Sequence, residues 1–396
     1  MTPKKPTEIN GLRQKLQDTR RRAMTKLMYD AFGAPPHAIG ARRDACGTTD
    51  MRAPYASLAF GAAARCDDWT PSYVPVVGDV VRLLEPKGKT SGCDVSNIDV
   101  GGVHKITGVA GDTVYFGAYS GDVYALSLED GSVLWSFEAD GPIIGGLAAL
   151  YREGPAETLF VGTDAGILYA LDPEDGSEKK RFDAGDSIWS APLLADGVLY
   201  VASINGNLYA LDAETLDLIW DAPFEAGHGL ISDPVLDDGT VLVGGLDRAL
   251  YAVDPATGEE RWSFEADNWF WGQPLVEDGT VYTPNLDGRL YALDLKDGTP
   301  VWDTPFQAEE PLRSAPVLAG DALVIVDRDG NVYGLDPEVG TLKWSREAEK
   351  GLQKTVLSNP ITDPSALEVE VLISAQGGDL FRLDPTAGSF VEVVTP

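Results

Sequence analysis

The chain has 396 residues, with 31 Lys and Arg against 62 Asp and Glu, a formal net charge of −31 at pH 7 and 44% apolar residues. That length holds one large domain or two smaller ones, and the apolar content is that of an ordinary globular protein. The charge excludes the acidic bulk of the chain as a reader of nucleic-acid phosphate, and no stretch is long and apolar enough to span a membrane as a helix.

The charge is unevenly placed, which marks a boundary. Residues 1–66 carry 12 Lys and Arg against 5 Asp and Glu, whereas residues 106–396 carry 15 against 51. Residues 8–32 read as a basic amphipathic helix, with Ile9, Leu12, Leu16, Ala23 and Leu27 near one face and Arg13, Lys15, Arg20, Arg21, Arg22 and Lys26 elsewhere. Residues 35–66 are rich in Ala and Arg without periodicity, so low order is expected there. A basic N-terminal arm of this kind suits an anionic surface (nucleic acid or membrane), the acidic remainder of its own chain, or simple solvation. Thr19-Arg20-Arg21 is followed by Lys26 and Asp30 rather than an apolar run, which argues against a twin-arginine signal. Met51-Arg52 with Ala53 to Ala64 has the form of a short signal peptide for a chain started at Met51. Ser91-Gly92-Cys93 matches the end of a lipoprotein box, but Glu85, Lys87 and Lys89 precede it. Cys46, Cys66 and Cys93 allow one internal disulfide at most.

From residue 67 the pattern becomes β. Val74-Pro-Val-Val77, the turn Gly78-Asp79 and Val80-Val-Arg-Leu-Leu84 predict a hairpin. Two readings of residues 67–102 stay open: a degenerate eighth blade starting near residue 69, or a small SH3-like unit sharing strands with Val103–Thr107.

Residues 103–396 are repetitive. A motif opening on an aromatic falls at Tyr124, Tyr169, Tyr209, Tyr251, Tyr291, Tyr333 and Phe381, so seven copies recur at a period near 42. Within the copy from Gln273 to Trp302, short apolar runs (Pro274–Glu277, Thr280–Thr283, Leu290–Leu293, Pro300–Trp302) are separated by Asp278-Gly279, Asp287-Gly288 and Asp297-Gly298. Such runs predict consecutive hairpins, four strands per copy, which is the size of one propeller blade. A helical solenoid would show apolar residues three and four apart, without Gly and Asp every eight to ten positions. The fold class is therefore all-β, a propeller of seven recognisable four-stranded blades.

The pattern at Ala252, Asp254, Thr257, Gly258 and Trp262 resembles the tryptophan-docking motif of pyrroloquinoline-quinone-like β-propellers. That family includes quinoprotein alcohol dehydrogenases and the propeller lipoprotein of the bacterial outer-membrane β-barrel assembly machine. The other tryptophans are Trp135, Trp220, Trp302 and Trp344, with glycines Gly131, Gly298 and Gly340 at the turn. The departures are Lys180 and Glu392 at the Trp position of the second and seventh copies, and Leu216 at the Gly position of the third. A blade cannot bury both faces alone, so repeated large aromatics are read as packing between blades.

The segments joining one copy to the next vary while the motif does not, as expected of a scaffold with a functional rim. They read Asp186-Ser-Ile-Trp189, Gly227-His-Gly-Leu230, Asn268-Trp-Phe-Trp271, Glu309-Glu-Pro-Leu-Arg313 and Gly351-Leu-Gln-Lys354. The candidate interaction rim is Trp189, His228, Trp269, Phe270, Trp271, Arg313 and Lys354. Three consecutive aromatics cannot share one face, and aromatics beside Arg are common binding anchors.

The enzyme alternative that the resemblance implies, a quinone-dependent dehydrogenase, would need pyrroloquinoline quinone, Ca²⁺ and an Asp base. No two cysteines here are adjacent, and no carboxylate in the joining segments has an obvious metal partner. His37, His104 and His228 are too scattered for a metal cluster or a catalytic triad. Asp327-Arg-Asp-Gly-Asn331 lacks the sixth-position Gly and distal Glu of a calcium loop. The expected function is a non-catalytic scaffold for protein partners, without cofactor or metal. A small-ligand or cation-binding module is the third reading. The resemblance implies the cell envelope, periplasm or outside; the N-terminus as written implies the cytoplasm.

Overall fold

The computed structural model describes residues 80–82, 103–110, 113–118, 120–127, 132–151, 156–347, 359–362, 371–374 and 380–394. The expected arm over 1–66, its helix, Gly131 and Lys354 lie outside these residues. Every regular element among the described residues is a β-strand.

The strands form seven antiparallel sheets, each built from strands consecutive in sequence. We number the blades 1 to 7, spanning 103–138, 147–183, 193–225, 235–265, 275–307, 317–346 and 361–394. Blade 1 carries a fifth strand, because Val80–Arg82 pairs antiparallel with its first strand through Val80↔Lys105, Val81↔His104 and Arg82↔Val103. The consecutive order follows from the short turns, since antiparallel neighbours need only a hairpin between them. Asp196-Gly197, Asp238-Gly239 and Asp278-Gly279 all have positive φ at both residues, the two-residue turn whose twist matches that of the strands it joins.

Alternation is less complete than the sequence suggests. Thr240–Gly244 and Ala322–Val326 are buried at every residue, and Thr280–Pro284 at all but the first. These second strands have strands on both sides and blades on both faces, so no side is left for water. Outer strands face solvent: Val133–Glu138 alternates exposed and half-buried residues, and Glu178–Asp183 is exposed at all but one. In blades 3 and 5 the outer strand shrinks to Phe224–Glu225 and Phe306–Gln307. Pro223 and Pro305 come just before them, and proline cannot donate to a ladder.

Tryptophans join blades 1, 3, 4, 5 and 6 to the next. The indole Nε1–H of Trp135, Trp220, Trp262, Trp302 and Trp344 donates to the carbonyls of Pro173, Pro255, Leu295, Pro337 and Pro385, at 2.9, 3.0, 2.9, 3.1 and 2.8 Å. Each acceptor opens the last turn of the following blade. The same turn presents a glycine to the indole face: Gly176, Gly258, Gly298, Gly340 and Gly388, with φ between 59° and 76°. A Cβ added at these positions would stand 2.3 to 2.7 Å from the ring. Both the left-handed backbone and the close approach require glycine there.

The two sequence departures at the junction of blades 2 and 3 are halves of one exchange. Lys180 pairs with Ala170 where Trp262 pairs with Ala252, so it holds the indole position. Leu216 holds the facing glycine position, keeps the left-handed backbone at φ 59°, and is 6% exposed. It packs in a core cluster with Ala170 and Ala213. Removing the large ring from one blade makes room for a large side chain on the next.

Candidate functional site

On one face of the propeller, each of the five described crossings, from blade 1 through blade 6, is fixed by hydrogen bonds from both sides. The N–H groups of Ile143, Ile188, Leu230, Phe270 and Leu312 donate to the preceding hairpin turn at Ala118, Thr163, Ser203, Gly245 and Asn285. The carbonyls of Pro142, Ser187, Gly229, Trp269 and Pro311 accept from the next blade's turn, for example Leu286 N–H to Trp269 at 3.0 Å. The rim is therefore a set of stapled segments, which limits the entropy lost when a partner binds.

Alternation along these segments sorts the rim residues. Ile188, Leu230, Phe270 and Leu312 are fully buried pegs at one repeat position. Phe270 is thus corrected from the rim to the core, where its ring lies 6.3 Å from Phe264 and 6.2 Å from Tyr291. The residue after each peg is Trp189, Ile231, Trp271 or Arg313. Trp189 and Trp271 are half-buried, whereas Ile231 and Arg313 are 4% exposed. Arg313 is a second correction, because its side chain belongs to the interior of the ring rather than to an open surface. Trp269 is half-buried on the other side of the Phe270 peg, and His228 is exposed. Trp189, Trp271 and Arg313 stand at the same step of their crossings, with Ile231 at that step between the two tryptophans; Trp269 and His228 sit one and two residues before their pegs.

Polar groups nearby are mostly committed to the scaffold. Trp189 Nε1–H donates to Asp164 Oδ1 at 2.8 Å. His228 Nδ1 accepts from Gly229 N–H, and the backbone N–H of His228 donates to Asp247 Oδ2. Tyr251 and Tyr291 donate to Asp247 and Asp287, each at 2.7 Å. Burial first, and for Tyr251 a carboxylate acceptor next, push both phenols up to about 12, so they hold their protons at neutral pH. Burial raises Tyr333 further. Asp327 is fully buried and accepts from Asn331, Tyr333 and the backbone of its own hairpin, which accounts for its place in the resemblance to a calcium loop. Among the described residues, no group of three or more His, Cys, Asp or Glu side chains is placed to hold a metal ion.

One rim residue escaped the sequence reading. The hairpin turn between the second and third strands of a blade ends on Gly121, Gly166, Gly206, Gly288 or Gly330 at φ 83° to 99°, but in blade 4 on Arg248 at φ 74°. Aligning the turns of all the repeats, rather than their tryptophans, would have exposed it.

A family model described as outer membrane protein assembly factor BamB matches the chain four times, over residues 77–154, 148–227, 217–310 and 279–393. The crystal structure of BamB from Moraxella catarrhalis superposes with a TM-score of 0.61 at 20% identity, covering 74% of this chain and 87% of that one. The computationally designed Ika8 protein superposes with a TM-score of 0.58 at 15% identity, covering 71% and 86%. No curated protein sequence matches significantly. At these identities the two structures show the fold alone.

Proposed function

The chain belongs to the family of the outer membrane protein assembly factor BamB, and from that premise we propose that its propeller is a non-catalytic scaffold that holds protein partners in cell-envelope protein assembly. The observation that carries the reading is the rim. Trp189 and Trp271 occupy one repeat position on segments stapled between blades, and both remain half-buried with Trp269 beside them. Large rings held on a rigid frame and partly open to solvent are the anchors from which protein interfaces draw most of their energy. A site of this kind needs no titrating group, and the rim tyrosines keep their protons at neutral pH. The reading puts the chain in the envelope, with an acidic propeller that turns nucleic acid away.

The test is substitution of Trp189 and Trp271 by Ala, singly and together, in the full chain. Both rings are only partly buried, so the unfolding midpoint should move little. Partners recovered from envelope extracts by the wild-type chain should be lost from the double variant. Recovery of the same partners in the same amounts would sink the rim as the binding face.

A further inference from the structure

Five described residues other than glycine hold a left-handed backbone, and four have a structural reason for it. Asp196, Asp238 and Asp278 are first residues of Asp-Gly hairpin turns, where aspartate is tolerated. Leu216 is buried in the place of a missing indole. Arg248 at φ 74° is the fifth. It is exposed, and its guanidinium makes no hydrogen bond or ion pair with the described residues. By contrast Arg181, Arg261, Arg289 and Arg328 pair with Glu178, Asp254, Asp267 and Glu310.

The position also disfavours a side chain sterically. A Cβ at the equivalent Gly166, Gly206 or Gly288 would stand 2.6, 3.1 or 3.2 Å from the carbonyl oxygen of Asp186, His228 or Glu310 on the adjoining crossing. An exposed arginine that strains the backbone and makes no polar contact gives the fold no evident return, and such outliers collect at functional sites. Its turn is tied to the crossing that carries Trp269, through Ala266 N–H to the Arg248 carbonyl and Phe270 N–H to that of Gly245. Of the carboxylates nearby, Asp247 accepts from Tyr251 and His228 and Asp267 takes Arg289, while the exposed Glu265 stands across the ladder from Ala249 without pairing with Arg248.

We propose that Arg248 is a recognition residue, whose guanidinium takes a carboxylate of a partner protein segment seated against Trp269. A single carboxylate beside an apolar residue complements this corner, whereas a polyanion would meet the acidic propeller around it. The inference rests on the rim reading above.

Random dodecapeptides displayed on phage, selected on the full chain and then synthesised, provide the probe. Enriched peptides should carry Asp or Glu next to an apolar residue. They should bind Arg248→Gly and Arg248→Ala about tenfold more weakly, the loss of one charge-assisted pair. Arg248→Gly should also melt about 2 °C above Arg248→Ala, because only glycine relieves the backbone. Peptides without an acidic residue, unchanged binding to Arg248→Gly, or equal melting of the two variants would each overturn the inference. Peptides that respond to Trp189→Ala and Trp271→Ala but not to Arg248→Gly would leave the rim reading standing alone. Failure to enrich any peptide sensitive to a rim substitution would remove both.

Discussion

Restoring the tryptophan dock between blades 2 and 3 tests the account of how the ring is held. The perturbations are Lys180→Trp, Leu216→Gly and the two together. At the five intact junctions a Cβ on the glycine would lie 2.3 to 2.7 Å from the indole, so Lys180→Trp alone drives a ring into Leu216. Overpacking of that kind costs about 1–3 kcal/mol. Leu216→Gly alone removes a side chain that is 6% exposed. Deleting a buried leucine costs about 2–5 kcal/mol, offset by about 1–2 kcal/mol of relieved left-handed strain. In the double variant the indole covers the new glycine and can donate to the Ala213 carbonyl, the counterpart of Pro255. Burial of the ring contributes about 3 kcal/mol and the hydrogen bond about 1 kcal/mol. The double variant should therefore match or exceed the wild type, so the two changes together should be more stable than the sum of the single losses by about 4 kcal/mol or more. Urea unfolding followed by tryptophan fluorescence and by circular dichroism reads all four proteins. Additive losses would refute the exchange, as would a Lys180→Trp single variant as stable as the wild type.

Two further outcomes follow from the same geometry. Gly298→Ala would place a methyl 2.6 Å from the Trp262 ring at a φ of 73°, and should cost about 2 kcal/mol in urea unfolding, whereas Gly279→Ala, with nothing within 4 Å, should cost only the backbone strain of about 1 kcal/mol. The Arg261 guanidinium and backbone N–H groups hold Asp254 below the usual carboxylate range. A depressed folded-state value gives stability that is present above the unfolded value near ~4 and lost as pH falls through the folded one. The difference in unfolding midpoint between the wild type and Asp254→Asn should therefore be full at pH 7 and shrink below about pH 4; a difference independent of pH would remove this linkage.

The repeat was legible because each of its signals is local. Period, turn glycines, β-branched runs and the tryptophan register lie within one blade, and Asp254 bonds the N–H groups of Ala256 and Thr257 just beyond it. Those signals determined an all-β propeller and the number of recognisable blades, and they singled out the variable crossings. Tertiary structure alone decided the pairings between repeats. Trp262 and Gly298 belong to different copies, so a single copy shows two unrelated residues where the ring has one contact. For the same reason Lys180 and Leu216 read as separate departures until the blades were placed side by side. Burial at the rim was decided there too. Phe270 lies between two tryptophans of similar apolarity, and only the approach of Phe264 and Tyr291 makes it the buried member of the three. Backbone strain at Arg248 is likewise a property of the packed turn, since the sequence shows an arginine but not the φ it must adopt against the neighbouring crossing. Local chemistry thus fixes what each blade is, and contacts across the seams fix which of its side chains remain available to a partner.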